Sequence, residues 1–159
     1  MKTFMKHFLT FTSAAVIASM ANVVFANQAG FSLLEFDAPH HKRNITGAVW
    51  YPSNEQSEQI RFAENPIFVG VDLQKEANIT EGKHPIVLFS HGMGGNIRTN
   101  AWLATGLAKR GAIVVGVNHP NTTWRDFDLK HGIKHWTRAQ DLSLAFDKVM
   151  EDSRFFNKI

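Results

Sequence analysis

The sequence predicts an α/β fold, on three observations. Residues Ile86 to Phe89 form a continuous apolar run, short enough to be a strand buried on both faces of a parallel sheet. A glycine-rich turn follows at once, His91-Gly92-Met93-Gly94-Gly95, where the backbone can bend sharply and leave its N–H groups facing a ligand. A second strand-like run, Ala112 to Val117, comes one helix later. Strand, glycine turn, helix and strand in that order is the grammar of a βαβ unit.

Length and composition bound what surrounds that unit. A chain of 159 residues with 44% hydrophobic content suits one globular domain. Its first residues read differently. Met1 to His7 carries Lys2 and Lys6 and no acid, an apolar run from Phe8 to Phe25 follows, and Val24-Phe25-Ala26 closes it with small residues where a signal peptidase reads. Residues 1–26 are therefore expected to be a secretory signal peptide cut after Ala26, leaving 27–159 as the domain. The competing reading is an uncleaved anchor, against which Thr10, Thr12, Ser13, Ser19 and Asn22 make the run a poor membrane span. The formal charge of +3 includes Lys2 and Lys6, so losing those two lysines leaves about +1 and no basic patch to suggest nucleic acid. With no cysteine there is no disulfide, thiolate nucleophile or Cys-ligated metal. An exported chain of this kind fits a bacterial periplasm or secretion from a bacterium.

In chain order, residues 27–36 predict the first strand, with Phe31, Leu33, Leu34 and Phe36 as its β-type side chains. Ile45 to Tyr51, closed by Pro52, predicts the second, and the short polar connection makes the two an antiparallel pair. Between Ser53 and Lys83, the patches Ile60–Phe62 and Ile67–Val71 predict a small accessory hairpin. Glu55, Glu58, Glu64 and Glu76 in that region read as solvated carboxylates rather than metal ligands. After the glycine turn, Asn100 is placed to cap a helix running to Arg110, with Trp102, Leu103, Gly106 and Leu107 on its packed face. Gly111 then sits where a helix ends on a left-handed residue. The strand Ala112–Val117 ends in Asn118-His119-Pro120, at the sheet edge where α/β proteins bind ligands. For the last helix, Thr137 with Gln140 predicts a capping box. Ala139, Leu142, Phe146 and Val149 are its predicted apolar stripe, with Gln140, Asp141, Ser143, Asp147 and Lys148 facing water, and Ser153 to Ile159 is expected to be a loop.

This order of pieces resembles the amino-terminal half of an α/β-hydrolase, and is similar within that superfamily to the dienelactone hydrolase and platelet-activating-factor acetylhydrolase-like group. The likeness is carried by Val49-Trp50-Tyr51-Pro52, His84 to Gly95, Trp102-Leu103-Ala104, Val117-Asn118-His119-Pro120, and the helix holding Arg138, Asp141-Leu142-Ser143 and Asp147. It extends from about residue 31 to 156. The resemblance implies an antiparallel strand pair followed by parallel strands with flanking helices. It also implies ester hydrolysis through an acyl-enzyme, without a cofactor. Carried onto this chain, the backbone N–H of Met93 becomes an oxyanion-hole donor, in a turn shaped by His91, Gly92, Gly94 and Gly95. Each such donor stabilises the tetrahedral intermediate by roughly 3–4 kcal/mol. Asn118 and His119 are placed to line the cleft, and for His91 and His119, neither in the triad position, a structural hydrogen-bonding role is the expectation.

The chain departs from that group in one respect. A nucleophile elbow, Gly-x-Ser-x-Gly, is missing from the sequence, and in the family layout it would come just beyond Ile159, followed by the acid and the histidine. The domain is thus expected to be an amino-terminal portion, inactive alone, whose sheet has an open edge that aggregates or pairs. Ser90 precedes the turn, at the strand end, and is expected to bond locally rather than to attack a substrate. His131 and His135 have the i, i+4 spacing of metal ligands, but Gly132 between them and the lack of a third ligand argue against a metal site. The expected partner of the complete enzyme is a small-molecule ester. The alternatives are a non-catalytic periplasmic binding module using the same cleft, and a metal-binding exported protein using His40, His41, His131 and His135.

Overall fold

Two strands of 11 residues each, β1 (Gln28–Ala38) and β2 (Arg43–Ser53), set the frame. The computed structural model describes residues 26–159, so all of the expected signal segment but Ala26 lies outside the described residues. β1 and β2 pair antiparallel along their whole length, from Gln28 opposite Ser53 to Ala38 opposite Arg43. A single 3-10 turn, Pro39–His41, joins them and closes on Lys42 in the left-handed conformation (φ 56°). Proline at the first position of that turn fixes its φ in advance.

The remaining strands are β3 (Glu58–Phe62), β4 (Val71–Lys75), β5 (Ile86–Ser90) and β6 (Ile113–Val117), and they complete a six-stranded sheet in the order β3-β4-β1-β2-β6-β5. β5 and β6 run parallel, as the βαβ reading requires, and β6 pairs antiparallel with β2. The accessory hairpin is β3 with β4, but its second strand starts at Val71 instead of ending there. Asn65 is the reason. Its side-chain oxygen accepts the N–H groups of Ile67 and Phe68, and its own N–H donates to the Phe68 carbonyl, so 65–68 is a turn with Ile67 and Phe68 in solvent.

Helices cover both faces. Between β5 and β6 runs α1 (Ala101–Lys109); after β6 come the short α2 (Leu129–Gly132), the long α3 (Trp136–Glu151) and α4 (Ser153–Phe156). Side chains alternate across β2, so Ala48 and Trp50 reach one face while Val49 and Tyr51 reach the other. The first core joins Phe31, Trp50, Phe62 and Leu73 to α1. The second joins Phe36, Val49, Tyr51, Val115 and Val117 to Ala145 and Val149 of α3 and to Phe155 of α4.

Five local expectations need correction. The packed face of α1 is Ala101, Ala104, Thr105 and Ala108, while Trp102 is 66% exposed and Leu103 also faces outward. Small side chains let the helix lie close on the sheet, and the larger residues are left on its rim. Asn100 is the N-cap residue of α1 but its side chain makes no capping bond. The capping box of α3 does not form either: the helix begins one residue earlier, and the Thr137 hydroxyl donates back to the Lys134 carbonyl (2.8 Å). Its buried face is Asp141, Ala145 and Val149, so Asp141 points into the protein rather than into water. Residues 153–156, expected as loop, form α4, capped by the Asp152 side chain. Gly111 does end α1 with a left-handed backbone (φ 93°).

β5 is an edge strand. Among the described residues it pairs with β6 alone, and Val87 and Leu88 are 36% and 41% exposed. A run of side chains patterned for burial on two faces is therefore half covered on each.

Candidate functional site

The carboxyl ends of β5 and β6 lie side by side, Ser90 opposite Val117. The antiparallel frame brings the turn between β1 and β2 to the same edge, since Asn118 N–H donates to the Thr46 carbonyl near the start of β2 (2.8 Å). The glycine turn, the Asn118-His119-Pro120 loop, His40, His41 and the first turns of α3 thus converge on one side of the sheet.

Met93 is at the tip of the glycine turn, 45% exposed. The turn is held on either side of it: Gly94 N–H donates to the Thr122 carbonyl (2.7 Å) and Gly95 N–H to the Gly92 carbonyl (3.0 Å). Among the described residues no acceptor takes the Met93 N–H. Gly94 has φ 80°, a left-handed backbone that glycine adopts without strain and that turns the chain sharply after Met93. His91 is buried beneath. Its Nδ1–H donates to the Gly92 carbonyl (2.7 Å) and its Nε2 accepts the N–H of His119 (3.1 Å), so both ring nitrogens are committed in the neutral form. Burial, with His119 and Arg138 adding to it against one opposing hydrogen bond, pushes its pKa down to about 4.

A hydrogen-bonded chain runs from this turn to α3. Ser90 Oγ donates to His119 Nε2 (3.0 Å), and His119 Nδ1–H donates to Asp141 Oδ2 (2.8 Å). The other carboxylate oxygen of Asp141 takes the Nε2–H of His40 (2.7 Å) and of His41 (3.0 Å). Burial opposes the charge on Asp141, but the hydrogen bonds from His119 and His40 and the nearby His41 outweigh it and hold the carboxyl below its usual range. Burial is also the main reason that His41 is lowered.

Serine, histidine and aspartate in this sequence of bonds match the order of a nucleophilic relay. Two features argue against Ser90 attacking a substrate here. Arg138 donates to Ser90 Oγ from both NH2 (2.9 Å) and Nε (3.3 Å), occupying the lone pairs an attacking oxygen needs. His119 is 1% exposed, so its Nε2 has no route to a leaving group. Arg138 also donates to the His91 carbonyl and, through NH1, to Thr122 Oγ1 (3.3 Å). The chain of bonds is a strut that ties the glycine turn to α3 and to the β1–β2 turn.

The expected cleft residues separate. Asn118 lies on the wall of a cleft of about 1280 Å³, together with Trp102, Trp124 and Arg125. It also braces that wall, accepting the Ile97 N–H and donating to Thr46 Oγ1 (2.9 Å each). His119, expected beside it, is buried under the loop. The cleft flanks the glycine turn without including Met93. His131 is paired with Asp128 on the surface (2.6 Å), away from the His40–His41 group. Sequence reasoning named His40 and His41 only as metal-ligand candidates beside His131 and His135, placed Asp141 in water, and gave Arg138 no role in the site. One signal was available: Asp141, Ala145 and Val149 share a helix face at four-residue spacing, and a lone acid on such a face needs a partner.

This architecture and the turn at the sheet edge define the class: the amino-terminal portion of an α/β-hydrolase-type fold. Residues 44–135, more than half of the chain, match the family described as platelet-activating factor acetylhydrolase, isoform II, and the chain belongs to that family. Among solved structures it is similar to a ferulic acid esterase from Streptomyces cinnamoneus, with a TM-score of 0.65 at 22% identity. The likeness covers 80% of this chain and 48% of the esterase, so the chain spans about half the length of that relative. No curated protein matches the chain.

Proposed function

We propose that this chain forms the amino-terminal half of an exported serine esterase, supplying the oxyanion donor and part of the substrate cleft but not the nucleophile. The observation that carries the reading is the Met93 N–H, on a residue 45% exposed beyond the carboxyl end of β5, with no acceptor among the described residues. In ester hydrolysis the carbonyl oxygen gains negative charge as the tetrahedral intermediate forms. A fixed N–H dipole stabilises that charge without reorganising. The strut through Arg138, Ser90 and His119 and the bond from Gly94 N–H to Thr122 keep the turn rigid enough to do so. The second donor and the serine come, in this reading, from a strand that pairs with the open edge of β5 and turns into a helix beside Met93. The substrate is a carboxylic ester, hydrolysed without a cofactor.

The test has two arms. The purified chain should release no p-nitrophenol from short acyl esters above the rate in water, and a serine-dependent burst would contradict the reading. The reading frame should continue past Ile159 into a Gly-x-Ser-x-Gly elbow, and the longer protein should hydrolyse the same esters until that serine is changed to alanine. If the frame holds no such elbow, ester hydrolysis is excluded and the cleft is that of a binding module.

A further inference from the structure

The cluster His40, His41 and Asp141 presents three donor atoms to one point. His40 Nε2 and His41 Nε2 lie 2.7 and 3.0 Å from the same oxygen, Asp141 Oδ1, and all three atoms fall within 4.8 Å of one another. We propose that these three side chains form a binding site for a divalent transition metal of the zinc type. Two imidazoles and one carboxylate, with a position left for water, are the donor set of borderline ions and a poor set for calcium or magnesium, which prefer oxygen alone. Bonds of about 2.0–2.1 Å to a tetrahedral ion put its ligands about 3.3 Å apart. The two nitrogen–oxygen separations therefore need to open by about 0.6 and 0.3 Å.

The surroundings are those of a supported site. Both histidines stand on the 3-10 turn that Pro39 starts and the left-handed Lys42 closes, with their rings 4.2 Å apart. Asp141 is fully buried, and its second oxygen is held by His119 Nδ1–H, which fixes the orientation of the ligating oxygen. The His40 side chain is 21% exposed, so an ion and its water reach the site from solvent. An ion would replace the two imidazole protons on Oδ1 and leave the bond from His119 in place. The β1–β2 turn and α3 would then be joined through metal rather than through hydrogen bonds. The site does not require the esterase reading: its ligands reach the glycine turn only through His119.

Calorimetric titration of the purified chain with zinc chloride at neutral pH tests the proposal. One equivalent should bind saturably. The substitutions His40→Gln and His41→Gln, which keep an N–H donor for Asp141, should each weaken binding by more than about tenfold, the lower range seen even for loss of a ligand's outer support. Replacing His131 and His135 together by alanine should leave the affinity unchanged. Absence of saturable binding to the folded chain, equal affinity in the glutamine variants, or loss of binding with His131 and His135 would each overturn the proposal. Cobalt gives a readout that needs no variant: the wild-type chain loaded with one equivalent should show the visible absorption of a four-coordinate nitrogen–oxygen site. A chain that holds cobalt without those bands would refute this ligand set.

Discussion

His91 shows how a single buried side chain gives the site its pH dependence. Both ring nitrogens are already used in the neutral form, and a proton on Nε2 would set it against the N–H of His119. With a folded pKa of about 4 against an ordinary 6.5, the unfolded chain takes up a proton in that window that the folded chain refuses. The stabilisation is therefore complete above about pH 6.5 and is lost as pH falls toward 4. Its size is on the order of 3 kcal/mol. Urea midpoints measured between pH 7.5 and 4 should fall for the wild-type chain and fall less steeply for His91→Gln. Parallel slopes for the two would show that another group controls the acid limb. His91 was legible as a residue near the turn, but its two fixed partners were not, because one of them is the backbone of a residue 28 positions away. Asp141 was hidden for the same reason: the histidines bonded to it, His40 and His41, lie 101 and 100 positions upstream, and no local pattern announces them.

At the scale of elements, what the sequence made plain was what short-range periodicity controls. The β1–β2 pair, β6 and the left-handed stop at Gly111 follow from alternation, from an apolar run and from one residue without a Cβ. The helix faces depart from the sequence expectation because the larger apolar side chains are not the buried ones. In α1 the alanines pack and Trp102 stays on the rim; in α3 the packed face is turned by one position so that Asp141 meets its partners. Close approach also governs the sheet itself. At Gly47, in the centre of β2, a Cβ would stand 2.5 Å from the Gly116 carbonyl oxygen of β6, and neither backbone can retreat without breaking the ladder. Gly47→Ala should destabilise the chain by about 3 kcal/mol, read as a lower urea midpoint at unchanged slope. An unchanged midpoint would mean that β2 and β6 slide past each other more easily than their register suggests.

For the whole molecule, the decisive feature is the uncovered side of β5. Six strands give two cores, yet the strand that leads into the glycine turn is at the border, with Val87 and Leu88 half in solvent and one line of backbone groups outside the sheet. An apolar edge without a charge, proline or bulge is a template for another strand. Within β5, Ile86 to Ser90 contains no charged residue and no proline. Association through this edge should therefore rise with protein concentration, and sedimentation should show species heavier than the 17.9 kDa chain. Val87→Lys places a charge on that edge and should shift the distribution to monomer while leaving the β1–β2 frame intact, as far-UV circular dichroism would report. A wild-type chain that stays monomeric over the same range and melts reversibly in one step would show that the edge is covered in solution. If the edge does pair, the same exposed hydrogen-bonding row that makes the chain associate is the row on which a nucleophile-bearing strand would sit. In the proposed reading, association of the chain and docking of that strand would use the same surface.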